Sequence, residues 1–377
     1  MRVAWITTGF SGGEEYNGAA AIHNLAREIA SYKDIELTIF SLYYPIKKKE
    51  YAFYGAKVLS FAQKEKVSKS GKLSIWRRCM KKFGEEHRKN RFDIIHSMWA
   101  GESGLIASRL SKKHHIKLIV SICGGELAYF PDINYGSRTK FWQKRFVDRA
   151  FGEANAIVSG SDVITELVKK YYHDDIFEKT LKIPFGVDET LFHPDANKNV
   201  AKRPLTLINI ANVSPVKDHM TLLKSLLKVR DKYADVTLLH YGKDDKHSLR
   251  RMIHELGLEK NVNLGGFINF KEVPDALRKA DVFVLSSLYE SQNMAIIEAA
   301  FCGLPVVSTD AGAAKEITDS IVISGDGNAL ADLIIRTADN LGEEKKKALN
   351  KIEALKKDFT LKASTDKFVK LYRSIIL

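Results

Sequence analysis

The run DVFVLSSLYESQNMAIIEAAFCGLPVVSTDAGAAKE, residues 281–316, alternates apolar and polar segments in a way that specifies strand, turn, helix and strand. Val282 to Leu285 reads as a buried strand, and a polar turn follows it. An apolar-faced helix starts near Asn293, and a second strand covers 305–308. Two glutamates stand eight residues apart, Glu290 in the turn and Glu298 on the helix. The start of a helix offers unpaired N–H groups and partial positive charge, which suit a diphosphate. Glu298 lies five residues into that helix, about 8 Å along its axis. A carboxylate there can accept two hydrogen bonds from a ribose while the phosphates rest at the helix end. Glu290, at the carboxyl end of the strand, reaches the opposite end of such a ligand, where a sugar would lie. The plainer alternative is an ordinary strand–helix–strand unit with two solvated glutamates.

Beyond this run the chain alternates strand and helix throughout. Strands are expected at 3–7, 36–40, 57–61, 93–96, 117–122, 156–159 and 181–183, separated mostly by helices such as 19–30 and 101–110. The pattern restarts after a polar stretch, 195–203, with strands at 205–211, 237–241, 262–264, 282–285 and 305–308. Short apolar strands separated by helices imply parallel sheets covered on both faces. At 377 residues the chain exceeds one core and suggests two domains. They are expected at 1–194, joined by a terminal helix within 359–377, and at 203–358. That last helix carries Phe368, Leu371 and Ile375 at helical spacing.

Motifs along the chain resemble the family-four glycosyltransferases, a retaining family with the two-domain GT-B fold. The family's E-G-x-G-x-x-x-x-E, followed by A-x-x-x-G-x-P-V-V, stands here as Glu290 to Glu298 and then Ala299 to Val307. Both glutamates match, and so do Gly303, Pro305, Val306 and Val307. The two glycines are Ser291 and Asn293 instead. I-P-N-G-V-D-x-x-x-F-x-P stands at 183–194 with Phe185 in place of asparagine, and Pro184 and Gly186 there shape a crossing between domains. G-R-L-x-x-x-K-G matches at Lys217, but Asn212 replaces the arginine. T-x-H-G-x-D/E matches at Glu126, while Cys123 replaces the histidine that contacts the transferred sugar. A thiol does not reproduce an imidazole's two hydrogen bonds, so that role is not carried over. His96, at another strand end, is read as a packed core histidine. Gly12 and Gly13, after the first strand, correspond to the family's glycine loop that approaches the donor.

The resemblance implies an α/β chain with two doubly wound, Rossmann-like domains facing a cleft, and a C-terminal helix crossing back to the first domain. It implies a nucleoside-diphosphate sugar donor, a glycan or lipid-linked acceptor, no cofactor and no catalytic metal. Glu290, Lys217 and Glu126 are the expected catalytic residues. The donor would meet Gly12, Gly13, Asn212, Lys217, Glu290, Ser291, Gln292, Asn293, Met294 and Glu298. Lys217 and Glu298 are expected as exposed or cleft charges. Two other readings stay open: a degenerate GT-B binding or regulatory subunit, motivated by the four replaced positions, and a GT-B sugar-nucleotide epimerase.

The composition adds a partner. The net charge is +13, and residues 46–91 hold eleven Lys and four Arg against four Glu. Such a block points to an anionic partner. A helix around 73–83 sets Trp76, Met80 and Phe83 between Arg77, Arg78, Lys81 and Lys82. We read Trp76 and Phe83 as core, and the basic side as facing an anionic membrane surface. Nucleic acid is not expected, because no binding module accompanies the charge. No apolar run reaches the roughly 20 residues of a membrane span, and the N-terminus lacks a signal-peptide pattern. Three widely spaced cysteines, Cys79, Cys123 and Cys302, suggest a reduced, cytoplasmic setting, peripheral at the membrane's inner face. His114 and His115 are read as a solvated loop pair.

Overall fold

The structure, a computed structural model, describes residues 1–13, 20–47, 49–195 and 204–377. They form two compact units, Met1–Gly186 with Leu361–Leu377, and Val187–Thr360. Residues 196–203 of the expected linker, like residue 19 of an expected helix, lie outside the described residues.

The first unit is built on eight strands: β1 (Arg2–Thr7), β2 (Glu36–Ser41), β3 (Glu50–Phe53), β4 (Ala56–Ser60), β5 (Ile94–Met98), β6 (Lys117–Ser121), β7 (Ala156–Ser159) and β8 (Thr180–Lys182). Their order is β3-β4-β2-β1-β5-β6-β7-β8, parallel except where β3 pairs antiparallel with β4. Periodicity did not reveal β3. It is a short edge strand with a half-exposed sequence, EYAF, which gives no buried apolar run. β1 is buried along its whole length, as a central parallel strand covered on both faces must be.

The second unit has β9 (Thr206–Ile210), β10 (Thr237–Tyr241), β11 (Val262–Gly266), β12 (Val282–Leu285), β13 (Val306–Thr309) and β14 (Ile321–Val322) in the order β11-β10-β9-β12-β13-β14, all parallel. That is the doubly wound dinucleotide-fold order, with its reversal point between β9 and β12. Alternate side chains of β12 enter different cores: Phe283 and Leu285 pack with the Met294–Phe301 helix, Val282 and Val284 with the His219–Lys232 helix. β14, two residues long, is too short for a sequence pattern to mark.

Two domain boundaries shift from the sequence expectation. Residues 187–194 belong to the second unit: the Val187 N–H donates to the Phe359 carbonyl at 2.9 Å, and Phe192 is fully buried beside Phe270. Phe359 and Thr360 stay with that unit as well, so the chain re-enters the first unit at Leu361.

The Leu361–Ile376 helix is fixed to the first sheet by polar as well as apolar contacts. The Trp5 indole donates to the Tyr372 hydroxyl at 3.0 Å, and Tyr372 lies 2.7 Å from His96 Nδ1. Since Trp5 can only donate, the Tyr372 proton goes to Nδ1, and His96 Nε2–H goes to Ser121 Oγ at 2.8 Å. Burial lowers the His96 pKa to about 3, so this is the neutral core histidine expected from the sequence. Tyr372→Phe strands the buried Trp5 and His96 groups. It should destabilise the first unit by about 1–3 kcal/mol, read as a lower denaturant midpoint for that unit; an unchanged midpoint would show the network to be energetically idle.

Candidate functional site

In open parallel sheets, ligands bind beyond the carboxyl ends of the strands where the order reverses. In the second unit those strands are β9 and β12, and the loops after them carry Lys217 and Glu290. Lys217 ends a short 3₁₀ turn, Pro215–Lys217. Asp218 then takes a left-handed conformation and caps the His219–Lys232 helix by accepting from the Thr221 N–H. The Ser286 hydroxyl donates to the Lys217 carbonyl at 2.9 Å, and the Leu288 N–H to the Val216 carbonyl at 2.8 Å, so the two loops are locked together. Lys217 Nζ meets Glu290 Oε1 at 2.5 Å. Ser287 Oγ and Asn293 Nδ2 donate to that same oxygen at 2.7 and 2.8 Å. The three donors gather on Oε1, and Oε2 has no hydrogen-bond partner among the described residues.

Asn293 explains one departure from the family pattern. Its φ is +72°, and its side chain caps the Met294–Phe301 helix by accepting from the Ile296 N–H at 3.2 Å. The family places glycine here, and asparagine is among the few residues that tolerate positive φ. The substitution keeps the backbone and adds a cap and a contact to Glu290. Ser291 is not among the positive-φ residues, so its backbone does not require glycine. Gly312, which sequence reading missed, has φ +60°; a Cβ there would lie 2.5 Å from the Gln292 carbonyl oxygen and 2.8 Å from Glu290 Cβ. Its only signal was a glycine just after a strand.

Glu298, expected as an exposed or cleft charge, is not on an exposed face. It is 7% exposed, and its carboxyl makes no hydrogen bond among the described residues. Burial raises its pKa from 4.5 to about 7. The cause is its neighbours on the helix: Ile296, Ile297, Ala299 and Ala300 are all buried, so the helix is covered nearly all round. Asn212, in place of the family's arginine, is exposed, and its Oδ1 accepts the Lys243 N–H at 3.0 Å. Beneath the loops lie His219 and His240, with ring centroids 4.9 Å apart, which sequence reading also missed. Burial lowers their pKa values to about 3 and about 4, so both are neutral. Gln292 is buried, and its carbonyl accepts the Ala313 N–H at 2.8 Å.

The first unit has a separate cavity of about 250 Å³ at the carboxyl ends of its strands, lined among others by Thr8, Trp99, Gly101, Glu126 and Gln143. Glu126 is buried, with its carboxylate accepting from the Ala100, Cys123 and Gly124 N–H groups at 3.2, 3.2 and 2.7 Å. Burial pushes its pKa up, and these backbone donors oppose the rise. It therefore organises the loop that holds Cys123, whose thiol burial keeps protonated. Gly12 and Gly13 follow β1, and the Ser11 hydroxyl donates to the Gly13 carbonyl at 2.7 Å. A Cβ on Gly12 would make only ordinary contact, 3.6 Å from Pro45, so packing does not demand glycine there.

The basic helix runs from Lys69 to Lys89, longer at both ends than read from sequence, with Trp76, Cys79 and Phe83 buried as its core side. Trp76 Nε1 donates to Tyr43 at 2.8 Å. Arg77, Arg78 and Lys81 are exposed, while Lys82 pairs with the buried Glu86 at 3.2 Å. His114 is not a loop residue. It ends the Glu102–His114 helix, and its ring packs on Phe83 and His87 of the basic helix with centroids 5.7 and 5.0 Å away. Among the described residues, no three His, Cys, Asp or Glu side chains gather to hold a metal ion, and no helix is long and apolar enough to cross a membrane.

Residues 18–191 match the family described as Glycosyltransferase Family 4, and residues 204–340 the one described as Glycosyl transferases group 1. An uncharacterized glycosyltransferase of Methanocaldococcus jannaschii is 34% identical over 114 residues, 30% of this chain and 28% of that one. The phosphatidylinositol N-acetylglucosaminyltransferase GPI3 subunit of Saccharomyces cerevisiae is 24% identical over 225 residues, 57% of this chain and 49% of that one. The chain thus spans half or less of the length of either relative. Sucrose-phosphate synthase from Thermosynechococcus elongatus has the same fold, with a TM-score of 0.81 at 17% identity over 99% of this chain and 98% of that one. With a matching family over each half and the doubly wound order in both sheets, the chain belongs to the family-four glycosyltransferases and has the GT-B fold.

Proposed function

We propose that this glycosyltransferase moves a sugar from a nucleoside-diphosphate donor to a glycan or lipid-linked acceptor of an envelope polysaccharide, with retention of configuration. The observation that carries the donor half is Glu298, 7% exposed, whose carboxyl makes no hydrogen bond among the described residues, set one and a half turns into the helix whose cap is tied to Glu290. A ribose diol supplies the two donors that this carboxyl lacks. Lys217 and the helix start near Gln292, Asn293 and Met294 receive the diphosphate, with Ser291 and Asn212 at the loop edges. Glu290 turns its second oxygen to the sugar hydroxyls, and Glu126 holds the acceptor-side loop in place. Charge developing on the leaving diphosphate is met by Lys217 and backbone N–H groups. Retention follows if the acceptor attacks the face that the diphosphate leaves, with a phosphate oxygen taking the acceptor proton.

Glu290→Gln keeps the contacts to Ser287 and Asn293 but removes the charge facing the sugar. We expect transfer to fall about 100-fold, while affinity for the bare nucleoside diphosphate changes less than about threefold. Equal losses in both would contradict the division of roles. The reading as a whole is tested by incubating the protein with UDP-, GDP- and ADP-sugars and acceptors with EDTA present, and assigning the product anomer by NMR. A transferred sugar with the donor's configuration supports it. An inverted product, an isomerised donor, or activity restored to a chelated enzyme by a divalent cation overturns it.

The membrane part of the proposal rests on the basic stretch 46–91, whose exposed Arg77, Arg78 and Lys81 share one helix. The yeast relative is by name a phosphatidylinositol glycosyltransferase, so its acceptor is a lipid. We place this protein peripherally on an anionic cytoplasmic membrane face, where each Lys or Arg near the surface contributes about 1 kcal/mol.

A further inference from the structure

Phe141 and Trp142 are 62% and 69% exposed, at the first turn of the Phe141–Glu153 helix. Aromatic side chains of this size are mostly buried, and an adjacent exposed pair marks an interaction surface. The helix already has its core side: Val147, Ala150 and Phe151 are buried, and Phe146 meets Trp76 of the basic helix with ring centroids 6.0 Å apart. Phe141, Arg145 and Arg149 recur every four residues on the opposite, exposed side, with Lys140 just before them. The Arg145 guanidinium lies 5.3 Å from the centre of the Phe141 ring, and Trp142 meets that ring edge-on at 5.3 Å. Tyr129, 59% exposed, lies on the loop that leads to this helix.

We infer that Phe141 and Trp142 insert into an anionic lipid surface and seat the first unit's cavity on it. Amphipathic surface helices place aromatic rings at the headgroup level, with arginine and lysine heads beside them. The chemistry selects this partner over two others. A sugar stacks on an open ring face, but here the guanidinium lies against Phe141. A second copy of the chain would bring Lys140, Arg145 and Arg149 against their equals. Gln143, next to the pair, lines the cavity with Thr8 and Glu126, so insertion would put that cavity's mouth at the lipid headgroups. The inference rests on the membrane-docking part of the proposed function and adds an apolar, salt-resistant component to it.

The test uses the full chain with vesicles of phosphatidylglycerol and phosphatidylcholine, at about 20 mM and about 0.5 M salt. Of the four tryptophans, Trp5 is fully buried, Trp76 nearly so and Trp99 half-buried in the cavity wall. Trp142 is therefore the most exposed reporter, and Trp99→Phe is the control for the other ring near the surface. On vesicles, emission should shift to the blue and be quenched by lipids brominated near the headgroup; Trp142→Phe should remove most of both signals, and Trp99→Phe should keep most of them. Phe141→Ala with Trp142→Ala should lower vesicle partition at high salt by about tenfold or more, leaving nucleoside-diphosphate affinity unchanged. Changing Arg77, Arg78, Lys81 and Lys82 to Gln should instead lower retention at low salt and leave the quenching of the bound fraction intact. Should the wild type bind at low salt yet show no quenching and leave fully at high salt, the insertion is refuted while basic docking stands. A wild type that ignores these vesicles at both salts refutes docking and insertion together. Trp142 emission that responds to a soluble oligosaccharide alone, or to protein concentration alone, refutes insertion in favour of a glycan or a second copy.

Discussion

Lys217→Ala is expected to cut sugar transfer by about 10²- to 10³-fold, which is what a charge stabiliser at a leaving group contributes, or about 3–4 kcal/mol. Two effects combine. The ammonium shares the Glu290 carboxylate with Asn293, the cap of the helix start, and without it the departing diphosphate is left to backbone N–H groups. Its removal also leaves the Glu290 carboxylate without its ion-pair partner, at a side-chain exposure of 11%. An unpaired carboxylate beside a diphosphate repels it, so nucleotide affinity should fall as well. Adding Glu290→Gln to Lys217→Ala should therefore recover part of the lost nucleotide affinity without recovering transfer. Calorimetry on the four members of this double-mutant cycle measures that coupling. Additive losses in affinity would mean that the 2.5 Å pair carries no energy into binding. Lys217→Arg should retain part of the activity, because the charge stays while its geometry changes.

The strand pattern of the second unit was legible because buried parallel strands are short continuous apolar runs bounded by polar turns. Val282 to Leu285 and the strand at 237–241 coincide with the observed β12 and β10. The edges were not legible. β3 has four residues of which only Phe53 is fully buried, and β14 has two, so both are too short to give a period to read. The boundary at Gly186 was hidden for a different reason. Val187 and Phe192 look like the end of one motif, and only tertiary packing assigns them to the second unit. In the site, Glu290 was singled out from its place in the turn after a strand, and Lys217 and Asn293 from the family resemblance; Glu290 Oε1 meets both of them. Spacing did not foretell that Glu290 would be paired before any ligand arrives. Nor did it foretell how deeply Glu298 is buried, since a glutamate in an apolar helix reads the same whether its head reaches solvent or not. Gly312 follows β13 and His240 lies on β10, so they reach the Glu290 loop and His219 through sheet order rather than local sequence.

Donor binding should strengthen by about tenfold between pH 6 and pH 8 through Glu298 alone. Burial raises this carboxyl from 4.5 to about 7, so near pH 6 it is mostly protonated and near pH 8 mostly ionised. A ribose diol donates two hydrogen bonds, and such bonds favour the carboxylate over the acid. Binding then releases a proton below pH 7, and affinity rises with pH as the carboxylate forms unaided. The stability of the empty protein moves the opposite way. A carboxyl whose folded pKa exceeds its unfolded value contributes stability that is full below pH 4.5 and is lost as pH rises through about 7. The loss above pH 8 is on the order of 3 kcal/mol, because the charge is then largely desolvated, with no hydrogen-bond partner among the described residues. Glu298→Gln removes that penalty. The variant should therefore unfold at a higher temperature than the wild type above pH 8 when nucleotide is absent, and gain less from adding it. Its nucleoside-diphosphate affinity at pH 8 should be lower by about ten- to a hundredfold, and its remaining pH dependence should be that of the phosphate alone. Titration calorimetry in two buffers of different ionisation heat counts the released proton directly. A Glu298→Gln protein with the wild-type pH profile and the wild-type affinity would remove the ribose from this carboxyl, and with it the reason for burying a glutamate on the Met294–Phe301 helix.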